Sequence, residues 1–166
     1  MRDNRLLNQT IPNILIVDDI PDNLQILGGI LDANGYRVRE VPTGMLALQV
    51  AEKEKPDLVL LDIMMPDMNG FEVCRLFKKN ENLNDVPIIF ISALNDTNDI
   101  VAALKAGGVD YITKPFRHEE VKARVATHLK IYQQRKELQS QSIELKKLNA
   151  EKDKFFTIIA HDLKSP

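Results

Sequence analysis

Five residues combine acid, hydroxyl and ammonium chemistry at the ends of short apolar runs. Asp18 and Asp19 follow Ile14–Val17, Asp62 follows Leu58–Leu61, Ser92 follows Ile88–Ile91, and Lys114 lies two residues past Val109–Ile112. Three carboxylates brought together repel one another, and a hard divalent cation bound through oxygen removes that penalty. Mg2+ in particular uses one or two carboxylates together with waters and phosphate oxygens. Lys114 then supplies a positive charge for a phosphate oxygen and Ser92 a hydrogen bond for another. Asp62 is the natural nucleophile, because carboxylates form aspartyl-phosphates. Taken singly, these residues have plainer uses: Asp-Asp as a helix N-cap, Asp62 and Ser92 as the first residues of loops. Their joint placement favours a site.

Joint placement requires elements that bring the run ends together. The apolar runs alternate with stretches of helical spacing, such as Leu24, Leu27, Ile30, Leu31 and Leu46, Val50, Ala51. That alternation is the pattern of βαβ units around a parallel sheet covered on both faces. Tyr36–Val41 instead places Val38 and Val41 among Arg37, Arg39 and Glu40, as an edge strand does. Five strands and five helices, the last opening near His118, predict an α/β doubly wound sandwich. In such a fold the carboxyl ends of the strands share one edge, where ligands bind.

Composition narrows the function classes. With 166 residues, 44% apolar and 28% charged, the chain has the makings of one domain plus an appendage. No run of 18 apolar residues is present, and no apolar stretch follows the charges of Met1–Arg5, so neither a membrane span nor a secretory signal is expected. The single cysteine, Cys74, excludes an internal disulfide and fits a reducing cytoplasm. The net charge of −2 divides into −6 for residues 1–116 and +4 for residues 117–166. An acidic first part argues against nucleic acid as a partner. All seven glycines, and seven of the eight prolines, lie at or before Pro115. Residues 116–165 therefore read as one long helix leaving a globular head.

Four blocks carry a resemblance: ILIVDD at Ile14–Asp19, LVLLDIMMPDMNG at Leu58–Gly70, IIFISA at Ile88–Ala93 and YITKPF at Tyr111–Phe116. In this order and spacing they resemble the response-regulator receiver (CheY-like) domain, over residues 13 to about 130. The resemblance implies a flavodoxin-like strand order of 2-1-3-4-5. It implies that Asp62 accepts a phosphoryl group from a phosphohistidine of a donor kinase or phosphotransfer protein. Mg2+ would be held by Asp18, Asp19, Asp62 and the backbone carbonyl of Met64. Ser92 and Lys114 would bind the phosphoryl group, and Tyr111 would change rotamer with Ser92. A cis Lys114-Pro115 bond is also implied, where the residues alone leave cis and trans open. Pro66 and Gly70 suit the tight loop and helix entry after Asp62. Cys74 reads as a small buried hydrophobe, and Met64, Met65 and Met68 suit a soft metal less well than the carboxylates suit Mg2+. Neither G-x-G-x-x-G nor G-x-x-x-x-G-K-[ST] occurs.

Beyond the head, Ile131, Leu138 and Leu145 recur every seven residues, and Leu148, Phe155 and Ile159 continue the stripe, with polar Gln134 and Gln141 between. This is an imperfect coiled-coil seam, expected to form a parallel homodimer from about Ile131 onward. The alternative is a single helix packed back on its head. Phe155–Pro166, FFTIIAHDLKSP, resembles the H-box of histidine kinases, which implies that His161 is a phosphoacceptor with Asp162 placed to orient or deprotonate it. The expected organisation is an extension over 1–12, the receiver over 13–130, a coiled-coil linker over 131–154 and the start of a dimerisation and phosphoacceptor domain over 155–166. The chain then reads as the front part of a longer receiver–histidine kinase, with no ATP-binding motif of its own. A dimeric receiver serving only as an interaction module is the alternative function. A transcription regulator would need a helix-turn-helix after the head, and a haloacid-dehalogenase-like phosphatase would need D-x-D where Asp62-Ile63-Met64 stands.

Overall fold

Residues that alternate along a strand face opposite sides of a sheet, and here both sides are apolar. The computed structural model describes residues 10–93 and 97–164. Its elements are β1 (Asn13–Val17), α1 (Pro21–Ala33), β2 (Arg37–Val41), α2 (Gly44–Lys53), β3 (Leu58–Asp62), α3 (Gly70–Lys79), β4 (Ile88–Ser92), α4 (Thr97–Lys105), β5 (Asp110–Thr113) and α5 (His118–Lys164). All strand pairs are parallel, in the order β2-β1-β3-β4-β5. This is the expected flavodoxin-like arrangement, with β2 at an edge.

Leu15 and Val17 of β1, Val59 and Leu61 of β3, and Ile88 and Phe90 of β4 pack on one side with Ala47 and Ala51 of α2, Val73, Cys74 and Phe77 of α3, and Ala103 of α4. Their neighbours Ile14, Ile16, Leu58, Leu60, Ile89 and Ile91 form the second core, with Leu24, Leu27, Ile30 and Leu31 of α1 and Val121, Val125 and Leu129 of α5. The inner strands therefore read as unbroken apolar runs. β2, half-exposed along most of its length, does not.

One expected inward residue lies elsewhere. Leu46 is 40% exposed, because Gly44, Ala47 and Ala51 make the inner face of α2. Gly44 permits this closeness: a Cβ there would lie 2.4 Å from Val73 Cγ2 of α3. Cys74 is fully buried, as expected, and its thiol donates to the Ala106 carbonyl at 3.3 Å. Met65 and Met68 pack against the first core, while Met64 is exposed.

Residue contacts divide the chain into two units, Met1–Lys130 and Ile131–Pro166. In the second unit, Leu138, Leu145, Leu148 and Phe155 are each more than half exposed on the single chain. Of the 1–12 extension, residues 1–9 lie outside the described residues, as do Ser165 and Pro166 of the H-box. No helix among the described residues is long and apolar enough to cross a membrane.

Candidate functional site: an acidic cleft at the strand tips

The chain leaves β1 toward β2, then crosses back to β3 on the other side of β1, so the sheet changes winding direction between β1 and β3. Asp18 and Asp19 follow β1 and Asp62 ends β3, placing all three acids at that switch point, where open α/β sheets bind ligands. One oxygen from each comes within 4.8 Å of the others. Lys114, just past β5, spans the cleft, with Nζ 3.3 Å from Asp62 Oδ1 and 3.4 Å from Asp18 Oδ2. Its bond to Pro115 is cis.

The three acids are not equivalent. Asp18 is fully buried and already engaged: Oδ1 accepts the Ile20 N–H at 2.9 Å, and Oδ2 accepts the Asn23 amide at 3.1 Å. Asp19 Oδ1 and Asp62 Oδ2, by contrast, are buried with no hydrogen-bond partner. Two orphaned carboxylate oxygens in an all-oxygen cluster fit a hard divalent cation and leave nothing for a soft one. Asp18, Asp19 and Asp62 are thus the group that the resemblance implies for Mg2+.

Burial, and next the charge of Asp18, push the Asp62 carboxyl up to about 6, while Lys114 and the Met64 backbone pull the other way. In the cation-free chain the folded state therefore holds the Asp62 proton more tightly than the unfolded state does. Stability from this group is full below about pH 4 and is lost as pH rises through about 6. Relative to Asp62→Asn, the wild type is expected to lose about 1 kcal/mol between pH 5 and pH 7 without Mg2+, measured by urea unfolding of both proteins. A parallel pH dependence of the two proteins would contradict this.

Ser92 ends β4, buried, and pairs in register with Thr113. It lines a small recess with Ile63, Ile100, Ala103 and Tyr111, so the two residues expected to move together share one space. Tyr111 also carries Arg124 of α5 over its ring, 5.7 Å from the centroid. In the second unit His161 and Asp162 are both exposed, with Nδ1 3.9 Å from the carboxylate.

Some site features escape sequence reading. Asn23 is one: a single amide in a helical stretch, five residues beyond Asp18, gives no motif. Another is Asp110, which accepts Arg124 at 2.8 Å and meets His128 Nε2 at 2.9 Å, tying β5 to α5. These partners hold its carboxyl below the usual range although burial opposes them. Gly70 opens α3, as a helix entry after Asp62 requires, but its closeness to the tip of β3 has no local signal: a Cβ there would lie 2.3 Å from the Asp62 carbonyl oxygen.

Comparison with known proteins agrees with this geometry. Residues 14–126 match the family model of the response regulator receiver domain. The DNA-binding response regulator MtrA of Mycolicibacterium smegmatis is 40% identical over 117 residues, 70% of this chain and 50% of that protein. The response regulator PleD of Caulobacter vibrioides is 40% identical over 112 residues, 68% of this chain and 25% of that protein. The chain thus spans half or less of the length of these relatives. Among solved structures, the signal receiver domain of a signal transduction histidine kinase from Syntrophus aciditrophicus aligns with a TM-score of 0.67 at 34% identity, covering 72% of this chain and 90% of that one. A two-component response regulator from Clostridium difficile aligns with a TM-score of 0.67 at 31% identity, covering 72% and 96%. With its sheet order, its acidic cleft and a family match over most of its length, the chain belongs to the response-regulator receiver family of two-component signalling.

Proposed function

We propose that Asp62 accepts a phosphoryl group from a phosphohistidine donor, and that its state regulates a histidine kinase built onto the same helix. The observation that carries the reading is the pair of orphaned buried oxygens, Asp19 Oδ1 and Asp62 Oδ2, beside an ammonium shared between Asp18 and Asp62. A carboxylate oxygen of Asp62 forms the new O–P bond, the P–N bond to the donor imidazole breaks, and the imidazole leaves with the electron pair. Asp18, Asp19, Asp62 and the Met64 carbonyl would hold Mg2+, which when bound offsets the charge of the cluster and of the phosphoryl oxygens. Lys114 moves to one phosphoryl oxygen, Ser92 donates to another, and Tyr111 follows Ser92 within their common recess. Incubation with Mg2+ and acetyl phosphate tests this: a single phosphoryl adduct is expected, mapped to Asp62.

The second unit supports a regulatory output. Leu138, Leu145, Leu148 and Phe155 are 64%, 61%, 55% and 60% exposed on the single chain, a stripe that a parallel second copy would cover. Burying each stabilises association by roughly 1.5–3 kcal/mol, so the chain is expected to sediment as a dimer and Leu138→Glu/Leu145→Glu as a monomer. A dimer that survives both substitutions would place the interface on the head.

By the same reading His161 is the phosphoacceptor of the kinase half, with Asp162 beside it to orient or deprotonate the imidazole. ATP alone is expected to leave His161 unlabelled. A histidine-kinase ATP-binding domain supplied in trans should yield phosphohistidine in the wild type and none in His161→Gln. Equal labelling of the two would reject the assignment.

A further inference from the structure

We propose that Asn23 is a positioning residue for Lys114: its amide occupies Asp18 Oδ2 and so keeps Asp18 from capturing the ammonium. The inference rests on the reading of Asp62 as phosphoacceptor, since it concerns the freedom of Lys114 to reach a phosphoryl group there.

Asn23 is the third residue of α1, half-buried, and its own N–H bonds back to the Ile20 carbonyl at 3.1 Å, which holds the first helical turn over the cleft. Its side-chain amide donates to Asp18 Oδ2 at 3.1 Å, the same oxygen that faces Lys114 Nζ at 3.4 Å. The other oxygen of Asp18 is taken by the Ile20 N–H at 2.9 Å. Lys114 stands almost midway, 3.3 Å from Asp62 Oδ1. Both of its ion pairs are longer than the about 2.7–2.9 Å of a tight charge-assisted bond. A fully buried carboxylate facing an ammonium would ordinarily draw it to that shorter distance. Here a neutral donor occupies part of the acceptor without adding charge, and the cation remains shared.

The role of Asn23 follows from that competition. As the O–P bond forms on Asp62, Lys114 must exchange Asp18 for a phosphoryl oxygen. Asp18 stays satisfied through that exchange because Asn23 and Ile20 continue to donate to it. Without the amide, Asp18 Oδ2 has the ammonium without a competing donor and holds it more tightly, so the exchange costs more.

Two measurements on the full chain test this. Asn23→Leu, which keeps the side-chain volume and removes the donor, is expected to slow acetyl phosphate labelling of Asp62 about tenfold at saturating Mg2+. It should also slow acetylation of the Lys114 amine by an N-hydroxysuccinimide ester severalfold, read by peptide mass spectrometry without phosphate or metal. In a Lys114→Gln background, Asn23→Leu should change the labelling rate less than twofold, because the group it acts through is gone. An equal tenfold loss in that background, or unchanged Lys114 acetylation in Asn23→Leu, overturns the inference. A wild type that takes no phosphate from acetyl phosphate overturns the functional reading instead, and the acetylation rates still decide the role of Asn23.

Discussion

Asp62→Asn is expected to reduce acetyl phosphate labelling of the chain to background while raising the stability of the cation-free protein. The asparagine keeps the shape of the side chain at the tip of β3 but replaces a nucleophilic carboxylate with an amide. Asp18 does not substitute for it, since both its oxygens already accept hydrogen bonds. Asp19 follows β1 and, among the described residues, makes no ion pair with Lys114, which Asp62 and Asp18 share. Removing one of three clustered acids relieves repulsion, and burial already favours the neutral form of Asp62. The gain in stability shows that lost labelling is not lost folding. Intact-mass analysis and urea unfolding on the same preparation check both halves. Undiminished label on the variant would move the phosphoacceptor to another residue.

Gly70→Ala is expected to cost about 3 kcal/mol, near the upper end for overpacking, because what the new methyl meets is backbone. A Cβ at Gly70 would lie 2.3 Å from the Asp62 carbonyl oxygen, 2.9 Å from Ile63 Cα and 3.0 Å from the Asp62 carbonyl carbon. The Gly70 N–H bonds the Ile63 carbonyl at 2.9 Å, so α3 cannot slide away from the end of β3 without losing that bond. Whatever gives way shifts the strand tip that carries Asp62, and labelling should fall along with the melting temperature. Gly29→Ala is the control: nothing lies within 4 Å of a Cβ there, and a helical alanine stabilises by roughly 0.5–1 kcal/mol. Equal stability of the two variants would mean that the α3–β3 approach is looser than described.

The strands and the acidic tips were legible in the chain because burial on both faces leaves an inner strand no polar position until it ends. Asp18, Asp62 and Ser92 stand out at the ends of Ile14–Val17, Leu58–Leu61 and Ile88–Ile91 for that reason. β2 was legible as an edge through Arg37, Arg39 and Glu40. The strand order came from resemblance to a family, since apolar runs of similar length carry no pairing information of their own. Tertiary structure alone decided how the acids divide their work. Asn23 and the Ile20 N–H satisfy Asp18 from the first turn of α1, whereas Asp19 Oδ1 and Asp62 Oδ2 have no hydrogen-bond partner. Leu46 turned outward and Gly70 became indispensable for one reason, the close approach of α2 and α3 to their neighbours. Such distances depend on which helix packs against which strand tip, and local periodicity does not encode them.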